Sequence, residues 1–225
     1  YSEMRKFTKL AYREVCVENG HMKQKRQCDY VHAIMFDMLS EEEKRIACDE
    51  LNEMIVKNGF HLNTGFLSTY ELLHVLTDYG HGDTAWKLML QDTYPGWLYQ
   101  LKYDATTVWE NWKGMEAGRE PKDSMNHYSF GTFAGWLMDR AAGIRVEKGK
   151  IRIQPHPDRQ IGYVKASYDS PFGKIKSSWE YEGETCKIKV EIPANAHAEI
   201  LLPDGSCHEA DYGKYEYVIM ENKHE

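Results

Sequence analysis

The hydrophobic pattern changes its period near Gly143, and this change constrains the fold more than any other feature of the 225-residue chain. Before it, apolar residues recur at helical spacing in segments that short loops separate. After it, short runs alternate between apolar and polar residues, with turn-forming residues between the runs. The sequence therefore predicts a multidomain α and β protein, with helical hairpins in residues 1–145 and an antiparallel β-sandwich in residues 146–225.

Several element boundaries can be predicted from local signals. Residues 2–19 keep a helical period up to Gly20, and Ser40-Glu41-Glu42-Glu43 has the pattern of a capping box that opens a helix ending at Gly59. Asp83 is expected to cap a later helix. Further helices are predicted over residues 30–39, 68–79 and 128–142, and strands over residues 150–154, 162–166, 173–177, 186–192 and 198–202.

Composition excludes several classes of function. A net charge of −7 and a pI near 5.8 argue against a nucleic-acid or membrane-surface partner, which requires clustered Lys and Arg. The five cysteines include no CxxC pair, and Cys28-x-x-x-His32 has no second ligand pair, so neither a metal nor another cofactor is expected. No pattern indicates a membrane span or a signal peptide, and the compartment stays open between cytoplasm, periplasm and secretion.

The stretch from Tyr94 to Tyr128 contains the best candidates for chemistry. It holds three of the six tryptophans and lacks a long helical or strand period, which is typical of a functional loop. Glu110, flanked by Trp109 and Trp112, is expected to be poorly solvated and therefore a good proton acceptor. The alternative is the end of a packed helix whose glutamate faces water.

Five short motifs, taken in order, resemble the bacterial α-L-rhamnosidases of glycoside hydrolase family 78. The resemblance extends into Ile153-Gln154-Pro155 and so covers most of the chain. The motifs are His61-Leu62-x-Thr64-Gly65-Phe66-Leu67, Gly80-His81-x-Asp83-x-Ala85, Tyr94-Pro95-x-Trp97, Ala105-Thr106-Thr107-x-Trp109-Glu110-x-Trp112 and Asn126-His127-Tyr128-x-x-Gly131.

The resemblance implies an (α/α) toroid of helical hairpins followed by a C-terminal β-sandwich. It also implies hydrolysis of terminal α-L-rhamnose with inversion, in which one carboxylic acid protonates the leaving oxygen and one carboxylate activates water. Glu110 matches the general base of the family, and His127 matches a histidine that contacts the sugar. The remaining candidates for substrate contact are Trp97, Trp109, Trp112 and Asn126.

The chain departs from the family pattern because the acidic stretch that carries the general acid has no counterpart here. We therefore expect these residues to be the C-terminal half of the toroid plus the sandwich, and to need the missing N-terminal half of the same polypeptide. Alone, the chain should be inactive, and its uncovered apolar helix faces should favour homo-oligomers or poor solubility. Four nearby carboxylates lack aromatic flanks and are poor substitutes for the acid: Asp104, Glu116, Glu120 and Asp123.

Two other functions remain open at this point. The first keeps the toroid but changes the sugar, because related helical toroids cleave other glycosides. The second is a non-catalytic carbohydrate-binding or structural fragment, in which Trp97 and His127 hold a sugar without cleaving it.

Overall fold

A computed structural model describes residues 1–115 and 123–220, and the chain divides into two compact units, Tyr1–Phe133 and Ala134–Glu225. The first unit is helical and the second is built from β-sheets, which confirms the predicted fold class. This division falls earlier than the predicted domain boundary after residue 145, and that boundary stays a prediction.

The first unit consists of short helices that pack in succession. The buried residues Tyr30, Leu51, Leu72 and Trp86 come from four of these helices and form part of its core. The unit contains α1 (Ser2–Cys16), α2 (Gln27–Met35), α3 (Glu41–Lys57), α4 (Phe66–Asp78) and α5 (Gly82–Met89), together with 3₁₀ turns at Leu98–Tyr103 and Ser129–Thr132.

The start of α3 has the predicted capping box. The backbone N–H of Glu43 donates to Ser40 Oγ at 3.3 Å, and the backbone N–H of Ser40 donates to Glu43 Oε2 at 2.7 Å. Asp83 does not cap α5: the N-cap is His81, and Asp83 lies in the first turn, where a negative charge still favours the helix.

The predicted extension of α1 to residue 19 is wrong. The helix ends at Cys16, and the strands β1 (Val17–Glu18) and β2 (His21–Met22) pair across Asn19-Gly20. This dipeptide is the one most favoured in two-residue hairpin turns, and hairpin pairing therefore competes successfully with the helix.

Helix α1 forms ion pairs with the rest of the first unit and exposes its apolar residues. Arg5 pairs with Asp37 at 2.8 Å, and Arg13 pairs with Glu43 at 2.7 Å. None of its residues is buried. Its exposed apolar residues are Met4, Phe7, Leu10 and Val15.

The predicted single helix over residues 128–142 is an irregular helical stretch instead. After the 3₁₀ turn come α6 (Phe133–Trp136) and a π-helical turn at Leu137–Ala141. Gly131 and Gly135 lie within it, and both lower the intrinsic preference for a regular α-helix.

The second unit contains two four-stranded sheets, ordered β10-β7-β6-β5 and β3-β4-β8-β9. All pairs are antiparallel, as in the predicted sandwich, except β4–β8, which is parallel. The long connection between β4 and β8 allows parallel pairing. The strands are β3 (Ile144–Glu147), β4 (Lys150–Ile153), β5 (Tyr163–Ser170), β6 (Gly173–Glu182), β7 (Thr185–Ile192), β8 (Ala198–Leu201), β9 (Cys207–Ala210) and β10 (Gly213–Met220). The sequence did not predict β3, β9 or β10.

Aliphatic side chains from both sheets form the core of the second unit. Ile153 and Ile200 come from one sheet, and Ile175 and Ile188 come from the other, and all four are fully buried. In the part of the chain that the structure describes, no helix has the length and apolarity needed to cross a membrane.

Candidate active site

Two segments without helix or strand structure pair to form the centre of the candidate site. The backbone N–H of Glu110 donates to the Ser124 carbonyl at 2.9 Å, and the backbone N–H of His127 donates to the Val108 carbonyl at 2.8 Å. The segment around Glu110 is therefore not the end of a helix, and the aligned pairing holds Glu110 and His127 on neighbouring lengths of backbone.

The Glu110 carboxylate is partly buried and is positioned by main chain. Its Oε2 atom accepts the backbone N–H of Ser124 at 3.0 Å, which makes the contact between the two residues reciprocal. Among residues 1–115 and 123–220, Glu110 forms no ion pair, and Oε1 has no hydrogen-bond partner. One carboxylate oxygen is thus fixed, while the other is able to accept a proton from water.

Trp109 supports this segment from inside the unit. Its indole is 1% exposed, and its backbone N–H donates to the buried Gln100 Oε1 at 3.1 Å. Trp109 is therefore anchored in the interior, next to the partly buried Glu110. The predicted sugar contact of Trp109 is untested, and in this structure the indole is packed rather than accessible.

Trp112 and Trp97 form a cluster with Phe130. The Trp112 ring stacks on Phe130 with centroids 3.9 Å apart, and Trp97 meets Trp112 edge-on at 5.4 Å. Both indole N–H groups are used within the unit, at the carbonyls of Thr64 and Phe130. Trp97 is buried whereas Trp112 is partly exposed, so of these two only Trp112 offers accessible apolar surface.

His127 lies against two aromatic rings. It stacks on Phe66 with centroids 4.9 Å apart and on Tyr128 at 5.1 Å. Its Nδ1 accepts the backbone N–H of Ser129 at 3.3 Å, which assigns the proton of the neutral ring to Nε2. Nε2–H has no acceptor among residues 1–115 and 123–220, and it can donate to a ligand oxygen.

Asn126 lies beside His127 and is exposed. Its backbone N–H donates to Ser124 Oγ at 3.2 Å, and Ser124 Oγ in turn donates to the Asn126 carbonyl at 2.9 Å. The same serine therefore contacts both the candidate base and the segment that carries Asn126 and His127.

Of the four carboxylates considered as alternative acids, the structure describes Asp104 and Asp123. Asp104 is exposed and ends a 3₁₀ turn, and Asp123 is exposed and accepts the Asn111 side chain at 3.0 Å. Glu116 and Glu120 lie outside the described residues. Within the described residues, no group of three or more His, Cys, Asp or Glu side chains is arranged to hold a metal ion.

Sequence reasoning missed the residues that position the site. Ser124 and Gln100 act through contacts with the backbone of Glu110 and Trp109, and no local pattern marks them. Phe66 belongs to one of the quoted motifs, but its stacking on His127 joins residues that lie far apart in the sequence.

Two family models match the chain. One, described as the bacterial alpha-L-rhamnosidase 6 hairpin glycosidase domain, matches residues 1–141. The other, described as the bacterial alpha-L-rhamnosidase C-terminal domain, matches residues 149–215.

Curated relatives extend well beyond the length of this chain. An alpha-L-rhamnosidase of Formosa agariphila is 36% identical over 212 residues, which cover 90% of this chain and 23% of that protein. An alpha-L-rhamnosidase of Streptomyces avermitilis is 30% identical over 210 residues, which cover 90% of this chain and 20% of that protein. The chain thus spans less than a quarter of either relative.

Solved structures share the fold over almost the whole chain. The Streptomyces avermitilis alpha-L-rhamnosidase complexed with L-rhamnose has a TM-score of 0.90 at 26% identity, covering 97% of this chain and 24% of that one. The native alpha-L-rhamnosidase from Aspergillus terreus has a TM-score of 0.90 at 27% identity, covering 97% of this chain and 26% of that one.

Proposed function

Because the chain belongs to the bacterial α-L-rhamnosidase family, we propose that it forms part of a glycoside hydrolase that removes terminal α-L-rhamnose from glycosides or polysaccharides. The relatives that carry this name support the reaction class, and the relative that was solved with L-rhamnose supports the sugar.

Glu110 is the general base in this proposal. The reaction inverts the anomeric carbon, so the base must deprotonate a water on the face of the sugar opposite the leaving oxygen. The observation that carries this assignment is how the two carboxylate oxygens are bonded. Oε2 accepts the backbone N–H of Ser124, and Oε1 has no hydrogen-bond partner among the described residues. A base held by backbone contacts has few orientations to lose when the water binds.

His127 and the aromatic cluster orient the sugar. Stacking against Phe66 and Tyr128 restricts the imidazole plane, and its Nε2–H can donate to a rhamnose hydroxyl. Trp112 supplies an apolar surface for the C–H groups of the ring, and the exposed Asn126 adds a polar contact. Trp97 and Trp109 support these residues from the interior.

The general acid comes from a part of the polypeptide that precedes this chain. Glu110 is the only candidate carboxylate that is partly buried beside the aromatic cluster among the described residues. The outward apolar side of α1 supports a preceding helical segment, because a helix normally buries its apolar stripe. In this proposal the isolated chain carries one of the two catalytic carboxylates and does not hydrolyse rhamnosides.

Glu110→Gln in the full-length polypeptide tests the assignment. The amide keeps the shape of the side chain but cannot accept a proton from water, so kcat on an aryl α-L-rhamnoside should fall by about 10²- to 10⁴-fold. Asp123→Asn is the matched control, since it changes an exposed carboxylate on the paired segment and should leave kcat within about twofold. A loss of only a few-fold in the Gln variant would exclude Glu110 as the base.

A further inference from the structure

The outer face of the second sheet, β3-β4-β8-β9, carries charged side chains in two rows. Ile151, Ile153, Ala198 and Ile200 are buried on the opposite face, and the residues that alternate with them point outward. By strand register, one row is Arg145, Arg152, Glu199 and Glu209, and the next contains Glu147 and Lys150.

A cavity of about 920 Å³ opens over these rows. Phe172, from the turn between β5 and β6, and Asn195, from the connection between β7 and β8, line its rim. The volume lies within the range of small-molecule sites, which is about 300–1,000 Å³. All the lining residues belong to the second unit, and none belongs to the candidate active site.

The charges in this cavity largely neutralise one another. Arg152 Nε donates to Glu199 at 2.6 Å, and His197, which also lines the cavity, contacts Glu209 at 2.6 Å and Asp211 at 2.9 Å. A strongly anionic ligand would meet these carboxylates, and a cation would meet the arginines and lysines. The arrangement suits a ligand that has hydroxyl groups but no net charge.

The guanidinium of Arg152 and the carboxylate of Glu199 offer donors and acceptors side by side, which match the adjacent hydroxyls of a sugar ring. Phe172 is 38% exposed and provides an apolar surface for the C–H face of such a ring. We propose that this cavity is a non-catalytic binding site for a neutral saccharide, built by the outer face of β3-β4-β8-β9 with Phe172 and Asn195 at its rim. It does not depend on Glu110.

The site can be tested by titrating the 225-residue chain with sugars and following binding by NMR. The neutral probes are L-rhamnose, D-galactose and an α-linked L-rhamnose trisaccharide, and the acidic probe is a galacturonic acid trisaccharide. We expect a neutral probe to bind, and Phe172→Ala to weaken binding by about tenfold. Asn195→Gly, chosen because Asn195 has a φ of 60°, should also weaken it.

Tyr163→Ala is the matched control, because Tyr163 is an exposed aromatic residue of the same unit that does not line the cavity. It should leave the affinity unchanged within about twofold. Failure of every neutral probe to bind at tens of millimolar overturns the proposal, as does binding that both rim variants leave intact. Preferred, salt-sensitive binding of the acidic probe overturns the neutral class. Since Glu110→Gln leaves the cavity unchanged, this test and the test of the hydrolase can fail separately.

Discussion

Gly143 is the position where one added methyl group should destabilise the second unit most clearly. Its φ is 77°, its carbonyl accepts the backbone N–H of Gln154 at 2.9 Å, and an added Cβ would lie 2.2 Å from the Gln154 carbonyl carbon and 2.3 Å from the Pro155 nitrogen. Left-handed backbone costs a non-glycine residue about 1–2 kcal/mol. Crowding against backbone that cannot rotate away adds about 1–3 kcal/mol, so Gly143→Ala should cost about 2–5 kcal/mol.

Gly149→Ala separates the two contributions. Gly149 has a φ of 80°, but an added Cβ would meet no atom within 4 Å, so only the backbone cost of about 1–2 kcal/mol remains. Both free energies of unfolding can be measured by urea denaturation, with circular dichroism reporting on the sheets. If the two variants differ by less than about 0.5 kcal/mol, the close approach of Gly143 to residues 154 and 155 is not what fixes this turn.

Two further predictions concern a helix cap and a histidine. Ser40→Ala removes one half of the capping box with Glu43 and should lower the free energy of unfolding, measured by urea titration, by about 1 kcal/mol. Ser40→Gly should lower it by only a few tenths of a kcal/mol. Equal losses in the two variants would contradict the cap. Hydrogen bonds to Asp211 and Glu209 raise the pKa of His197 above its usual value, so its stabilising effect is complete below about pH 6.5 and is lost as the pH rises through the folded pKa. The wild type should therefore melt at a higher temperature than His197→Asn, and this difference should be larger at pH 6 than at pH 9. An equal difference at both pH values would refute the ion pairs.

The elements that could be predicted are those whose signals are local. The capping box at Ser40 needs only four consecutive residues, and the change of period near Gly143 needs only the order of apolar and polar side chains. The hairpin at Asn19-Gly20 also had a local signal, which the helical period of the preceding residues concealed. The parallel pairing of β4 with β8 had none, because register between distant strands is decided by packing.

The candidate site divides in the same way. Glu110 stands out through its residue type and its tryptophan neighbours, whereas His127 was identified through the family resemblance. Their geometry depends on contacts across the sequence that involve main-chain atoms, such as Ser124 N–H on Glu110 and Gln100 on the backbone of Trp109. Backbone donors are present at every residue, so sequence alone cannot show which of them a carboxylate will use.

Two separate observations support the preceding segment that we propose. Chemically, the inverting reaction that we propose needs an acid about 6.5–9.5 Å from its base, and the two candidate acids among the described residues, Asp104 and Asp123, are both exposed. Physically, α1 leaves Met4, Phe7 and Leu10 exposed while its basic residues pair inward, although burial of one such side chain contributes about 1.5–3 kcal/mol. One preceding helical segment that brings an acid and covers α1 would satisfy both. Adding that segment to the 225-residue chain should therefore both confer rhamnoside hydrolysis and prevent the self-association that we expect of the chain alone. If only one of these two effects appeared, a single segment would not meet both needs.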